Sequence, residues 1–135
     1  MNGPTENAKL ALRGAQALSN RDVEAILEIA HPEIEFATHP GFVGQEPMYR
    51  GHAGVRRWVE TLEPWECFRV EVEEVVDTSD DTLVTVSRVI ARGSGSGVDV
   101  DMRTYDTVKI VGGRIRKRTY YESREDALSA ARSEA

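Results

Sequence analysis

The chain has 135 residues, 40% hydrophobic and 30% charged, which predicts one globular domain with a single core over residues 1–135. Its 17 Lys and Arg residues against 23 Asp and Glu residues argue against nonspecific nucleic-acid binding, and its one cysteine, Cys67, excludes an intramolecular disulfide framework. Because the chain shows neither an apolar stretch of roughly 20 residues nor a secretion signal, we expect a cytoplasmic protein with no membrane association.

The N-terminal part is predicted to form two short helices followed by a strand. Apolar residues at helical spacing follow Pro4–Asn7, and a second such stripe begins after Asp22, which stands where a helix N-cap belongs. The second helix is expected to end in a turn at His31 and Pro32, since a residue before proline avoids the helical region. Polar and apolar residues then alternate over Glu33–Thr38, which predicts a half-buried strand.

The rest of the chain is predicted to be one more helix, an antiparallel sheet and a C-terminal helix. The third helix lies around Gly51–Leu62 and stops before Pro64. Alternating and β-branched residues fill the stretch from 68 to 121, with a hairpin turn at Gly112–Gly113. Ser123 has the spacing of a helix cap for the last helix. We therefore expect an α+β domain with its helices against one face of a curved antiparallel sheet.

Four segments in this order resemble the SnoaL-like branch of the nuclear transport factor two-like superfamily, which also contains ketosteroid isomerase. The segments are ALSNRDVEAILEIAHPEIEF (17–36), YRGHAGVRRWVETL (49–62), RGSGSGVDVDMR (92–103) and VGGRIRKRTYYESREDAL (111–128). The resemblance implies a cone with an internal pocket for a small organic ligand, no cofactor, and a homodimer formed through the outer sheet face, where we expect Tyr105. It implies no single activity, because the fold hosts isomerases, cyclases, epoxide hydrolases, dehydratases and binding proteins.

Alternation along the strand over residues 98–110 predicts which side chains reach the pocket. The apolar face should line the interior. It carries Val98, Val100, Met102, Thr104, Asp106, Val108 and Ile110. The resemblance places Asp106 where ketosteroid isomerase-like enzymes keep a protonated acid that stabilises an oxyanion. A buried carboxylate must be neutral or have a cationic partner.

The final strand supplies that cation. The resemblance puts Arg116, Arg118 and Tyr120 on the pocket side, where relatives usually carry apolar residues, and a one-residue slip would instead place Ile115, Lys117, Thr119 and Tyr121 inside. We predict a cross-strand pair between Asp106 and Arg118. Such a pair is either a structural ion pair or a group that orients the ligand.

The end of the first strand is where the resemblance places a general-base aspartate, and this chain has Thr38 or His39 there. Losing that aspartate argues against steroid isomerisation, and Thr119 or Tyr120 at the second acid position argues against epoxide hydrolysis. His39 is either an acid/base at the pocket rim or a loop residue that caps the strand. His31, His39 and His52 lack metal-ligand spacing, so no metal site is expected, and His52 is expected to face solvent.

Two functions remain open. The first is a small-molecule binding domain, as a binding protein or as an isomerase-, cyclase- or hydratase-like enzyme, in which His39 and Asp106 carry acid–base chemistry on a polar or aromatic compound. Its predicted ligand-binding residues are Thr38, Trp58, Met102, Arg118 and Tyr120. The alternative is a noncatalytic dimeric binding or interaction module whose cavity is closed by the Asp106–Arg118 pair. An open pocket of a few hundred Å³ would favour the first, and a filled cone would favour the second.

Overall fold

A computed structural model of the chain describes residues 5–38, 45–93 and 99–134. Two residues with predicted roles, His39 and Val98, lie outside these ranges. The helices are α1 (Glu6–Ser19), α2 (Val23–Ile29), α3 (Gly51–Glu60) and α4 (Arg124–Glu134). The strands are β1 (Ala30–Ala37), β2 (Met48–Arg50), β3 (Trp65–Asp77), β4 (Thr82–Gly93), β5 (Asp99–Val111) and β6 (Arg114–Tyr121). No helix in these ranges is long and apolar enough to cross a membrane.

The six strands form one sheet in the order β2-β1-β6-β5-β4-β3. Within the run from β3 to β6, each strand pairs antiparallel with the next, as predicted. On its other edge β6 pairs with β1 in parallel. The α+β cone class is confirmed. Local signals fixed the helix starts: the Asp22 carboxylate accepts from the Ala25 amide at 3.2 Å, and Ser123 Oγ accepts from the Asp126 amide at 3.1 Å.

The predicted turn at His31 and Pro32 is wrong, because β1 already begins at Ala30. The register between β1 and β6 shifts between Ala30 and Glu35, so Pro32 falls in an irregular part of the ladder. A proline is tolerated there because its missing N–H is not needed for a ladder hydrogen bond. The short strand β2 was also not predicted.

The main core lies between the inner face of the sheet and helices α1, α2 and α3. Phe36 of β1 is at its centre, stacked on Tyr49 with ring centroids 5.4 Å apart and edge-on to Trp58 at 5.1 Å. Tyr49 and Leu62 are almost completely buried in the same cluster. Through these contacts α3 packs against the end of β1, and the two elements form one wall of the cone.

Helix α4 packs on the opposite, outer face of the sheet, so the expectation that all helices share one face is wrong. Its apolar stripe of Ala127, Leu128 and Ala131 covers Val84 of β4. Tyr105 is half-buried against the same cluster. The expected dimer surface around Tyr105 is therefore partly covered by the chain's own C-terminal helix.

A bulge in β6 resolves the two registers left open by the sequence. Lys109 pairs with Lys117, but Ile110 pairs with Ile115, so one extra residue, Arg116, lies between the two pairs. Ile115 consequently packs against the core. Beyond the bulge the inward positions are Arg118 and Tyr120. The register with Ile115 inside therefore holds before Arg116, and the register with Arg118 and Tyr120 inside holds after it.

Candidate functional site

A cavity of about 90 Å³, open to solvent on one side, lies between the inner face of the sheet and helices α1 and α3. Its wall combines an apolar part with a polar part. The apolar part includes Leu18, Phe36, Phe68, Val70 and Val89, and the polar part consists of Thr38, Gln45, Trp58, Thr104, Asp106, Arg118 and Tyr120. The volume is below the roughly 300–1,000 Å³ of a typical ligand pocket, so it does not reach the size that would favour the first function.

Asp106 and Arg118 form the predicted pair on the cavity wall. Arg118 Nη2 donates to Asp106 Oδ2 over 2.9 Å, and the two side chains are 6% and 30% exposed for Asp106 and Arg118 respectively. They are diagonal neighbours, since Asp106 is directly opposite Tyr120 and Arg118 is opposite Val108. In this geometry Asp106 Oδ2 accepts a hydrogen bond, and Arg118 is the cationic partner that was expected for a buried carboxylate.

Trp58 projects from α3 into the wall between this cavity and an adjoining apolar one of about 60 Å³. Its indole Nε1 is buried and has no hydrogen-bond partner among the described residues. Buried indole N–H groups normally find an acceptor. Trp58 therefore carries an unused donor in a side chain that lines the cavity.

Thr38 and Gln45 flank the segment 39–44 in the chain, and both line the cavity. The Thr38 hydroxyl donates to the carbonyl of Glu46, and the Gln45 amide donates to Thr61 Oγ1 at 3.2 Å. Sequence reasoning missed Gln45, because it stands in a stretch read as loop with no periodicity. His39, the predicted acid/base, lies outside the described residues.

Met102 is not part of the cavity wall formed by the described residues. It is half-buried and packs against the main core, whereas its cross-strand partner Val89 does line the cavity. Along β5 the wall includes Thr104 and Asp106, so the shared strand face did not suffice to place Met102 there. The other predicted binding residues, Thr38, Trp58, Arg118 and Tyr120, are brought together with Asp106.

The expectation that His52 faces solvent is wrong. Its Nε2 lies 2.9 Å from the carbonyl oxygen of Ala30, and the side chain is partly buried. Gly51, with φ +67°, starts α3 close to Pro32 and so brings His52 to the beginning of β1. Within the described ranges, no three His, Cys, Asp or Glu side chains cluster as metal ligands would.

Arg118 is the one described residue that lines this cavity, the apolar cavity of about 60 Å³ and a third void of about 20 Å³. Three spaces in the interior packing thus adjoin one residue, Arg118.

Comparison with known proteins agrees with this architecture. No curated protein sequence matches the chain. A nuclear transport factor two-like protein of unknown function from Burkholderia pseudomallei superposes with a TM-score of 0.76 at 14% identity, covering 94% of this chain and 98% of that one. TerC, crystallised with polyporic acid, gives 0.75 at 18% identity, covering 96% and 99%.

A Mycobacterium tuberculosis protein crystallised with estradiol-17beta-hemisuccinate gives a TM-score of 0.74 at 14% identity, covering 90% of this chain and 96% of that one. At these identities the three structures establish the fold. The model of the SnoaL-like domain matches residues 11–118, which includes every described strand apart from the last three residues of β6. The chain therefore belongs to the SnoaL-like domain family.

Proposed function

We propose that the chain binds a small organic molecule in the cavity of about 90 Å³, with an oxygen acceptor of that molecule against Trp58 and Arg118. The observation that carries the proposal is the buried Trp58 indole N–H without a partner among the described residues. Leaving such a donor unused costs about 1–3 kcal/mol, which a bound acceptor would recover. A carbonyl, phenol or carboxylate oxygen fits this requirement.

The apolar part of the wall suggests the rest of the ligand. Phe36 and Phe68 present aromatic surface beside the polar groups, so the favoured compound has a flat or aromatic body with one oxygen-bearing end. Because the volume is small, only the oxygen-bearing end enters fully, and the body extends toward the open side of the cavity. Arg118 also lines the void of about 60 Å³, so the two spaces adjoin the same residue.

The catalytic form of the proposal assigns proton transfer to His39. Oxyanion stabilisation then belongs to Arg118, Tyr120 and the Trp58 indole, because Asp106 accepts hydrogen bonds and holds the guanidinium in place. The reaction class is isomerisation, cyclisation or hydration of a compound that forms an enolate-like intermediate. The family membership and the position of His39 at the end of the first strand in the sequence support it.

The second candidate is a noncatalytic binding or interaction module. The small cavity volume and the pairing of Asp106 with Arg118 favour it, since a pair that satisfies itself needs no ligand. In a noncatalytic module, the buried Trp58 indole N–H has no assigned role.

A thermal-shift experiment separates the two candidates. The first probes are polyporic acid and estradiol-17beta-hemisuccinate, followed by a set of small aryl ketones, phenols and benzoates. A ligand at about a hundred times its Kd adds about 2.7 kcal/mol to the free energy of unfolding, which moves the midpoint by several degrees. If no compound in the set moves the midpoint, the interaction module is the better account.

We also propose that the chain is a cytoplasmic homodimer joined by the part of the outer sheet face that α4 leaves uncovered. That part carries ion pairs such as Arg88 with Asp101 at 2.7 Å and Arg103 with Glu73 at 2.7 Å. An isologous two-fold contact is the commonest arrangement for such a surface. Sedimentation at high micromolar concentration checks this, and a species of 15.0 kDa would contradict it.

A further inference from the structure

The smallest of the three voids around Arg118 has an unusual wall. It measures about 20 Å³ and adjoins the main cavity at Arg118 and Val70. Two residues of β4, Thr85 and Ser87, contribute to it and are only 3% and 1% exposed. The hydroxyl oxygens of both residues have no hydrogen-bond partner among the described residues.

These hydroxyls stand at successive inward positions of β4. Their inward neighbours on the same strand, Leu83 and Val89, are apolar, so two polar residues interrupt an otherwise apolar face. In the ladder with β5, Thr85 is opposite Asp106 and Ser87 is opposite Thr104. The interruption is therefore next to the Asp106–Arg118 pair.

The size and the chemistry of the void define its occupant. A single water needs a volume of about 10–15 Å³ or more and two to four polar partners. This void has about 20 Å³ and is lined by Thr85, Ser87 and Arg118, whose side chains carry two hydroxyls and a guanidinium. Because Asp106 already balances the charge of Arg118, an ion would add an uncompensated buried charge, and an uncharged oxygen fits better.

We propose that this void, the β4 hydroxyl pocket, holds one uncharged oxygen that accepts from Arg118 and bonds to the hydroxyls of Thr85 and Ser87. In the free protein that oxygen belongs to a water. It gives the guanidinium a second anchor beside Asp106, so Thr85 and Ser87 are positioning residues for Arg118. Only the importance of Arg118 rests on the proposed function, since the pocket itself requires no ligand.

A high-resolution crystal structure of the full chain without ligand tests the occupancy. The expected result is one oxygen within about 2.7–3.2 Å of an Arg118 nitrogen and of at least one of the two hydroxyls. A dry void, or hydroxyls that bond elsewhere, would overturn the proposal. In a complex, the same position held by water or by a ligand oxygen supports it and shows which source supplies the oxygen.

A double-mutant cycle in urea unfolding tests the positioning role. Thr85→Val and Arg118→Lys should be coupled by about twofold or more in the unfolding equilibrium constant, because both residues share one partner. Thr85→Ser keeps a hydroxyl and should retain the coupling. The matched control is Thr82→Val, since Thr82 is a buried residue of the same strand whose hydroxyl donates to Asp81 Oδ1 at 3.0 Å.

Additive effects of Thr85→Val and Arg118→Lys would overturn the positioning role. If Arg118→Lys does not fold, the sign of the Thr85→Val effect alone decides. Removing a hydroxyl that lacks any partner raises the unfolding midpoint, whereas removing one that holds a water lowers it. A failed ligand screen would remove the proposed function and leave these two measurements unaffected.

Discussion

Arg118 Nη2 lies 2.9 Å from Asp106 Oδ2, and the pair is unequally buried, with 6% of the Asp106 side chain exposed against 30% of Arg118. The carboxylate therefore depends on the guanidinium more than the guanidinium depends on the carboxylate. Arg118 can regain solvent contact through the cavity, whereas Asp106 sits on the inner face of β5, opposite Thr85 on one neighbouring strand and Tyr120 on the other.

Removing Arg118 should consequently destabilise the protein more than neutralising Asp106. Arg118→Met leaves a buried, uncompensated charge and should cost about 3–5 kcal/mol. Asp106→Asn should cost about 1–3 kcal/mol, because it leaves a partly exposed guanidinium with an amide partner. Urea denaturation at neutral pH measures both.

The double variant Asp106→Leu with Arg118→Met is the control for this prediction. It removes both charges and should recover at least about half of the Arg118→Met loss. Equal costs for the two single variants would mean that the inequality in burial does not govern the pair.

Trp58→Phe should weaken ligand binding by about tenfold, because it deletes the unused indole donor and keeps an aromatic ring. The matched control is Trp65→Phe, since Trp65 packs against the same core but does not line the cavity. Calorimetric titration with a compound found by thermal shift measures both. Unchanged affinity for Trp58→Phe would show that the ligand leaves this donor unused.

Local and periodic signals made much of the fold predictable. Asp22 and Ser123 cap helices as expected, and Gly112 and Gly113 adopt φ +60° and +76° in the predicted hairpin turn. Alternation along β5 correctly placed Asp106 inside, and from it the pair with Arg118 followed. These features depend on neighbouring residues or on one strand's pattern, which a sequence displays directly.

The remaining features depend on contacts between distant segments. β4 is covered by α1 on one face and by α4 on the other, so Leu83 and Val84 are both buried and the strand shows no alternation. The sequence of β4 therefore did not show that the side chains of Thr85 and Ser87 point inward. The bulge at Arg116 is a property of strand pairing, and the three residues of β2 are too few to show a period.

The histidines give a prediction about catalysis. Once a substrate is known, His39→Ala should lower the rate by at least roughly 10²-fold, as expected for a lost general base. His52→Ala should leave the rate unchanged and lower the unfolding free energy by about 1 kcal/mol, because its ring contacts the Ala30 carbonyl. Equal rates for wild type and His39→Ala would favour the noncatalytic reading.

Two ion pairs on the outer face of the sheet should contribute stability that is lost in acid. A hydrogen bond from Arg124 holds the pKa of Glu74 below its ordinary value of 4.5, and one from Arg103 does the same for the pKa of Glu73. Because these pKa values are lowered in the folded state, the stabilisation is present above the ordinary value and is lost as the pH falls through the folded one.

Between about pH 5 and pH 3 the urea midpoint of the wild type should therefore fall more steeply than that of Glu74→Gln. Both carboxylates are exposed, so added salt should reduce the difference. Parallel midpoint curves at low salt would show that the Arg124–Glu74 pair makes no net contribution.

The most direct test of ligand binding is a crystal structure of the protein with a compound that raises its unfolding midpoint. The account predicts an oxygen of the compound within about 2.7–3.2 Å of Trp58 Nε1 or of an Arg118 nitrogen, with its apolar body against Phe36 and Phe68. A compound bound on another surface, with the Trp58 indole still unpartnered and the cavity unchanged, would contradict it.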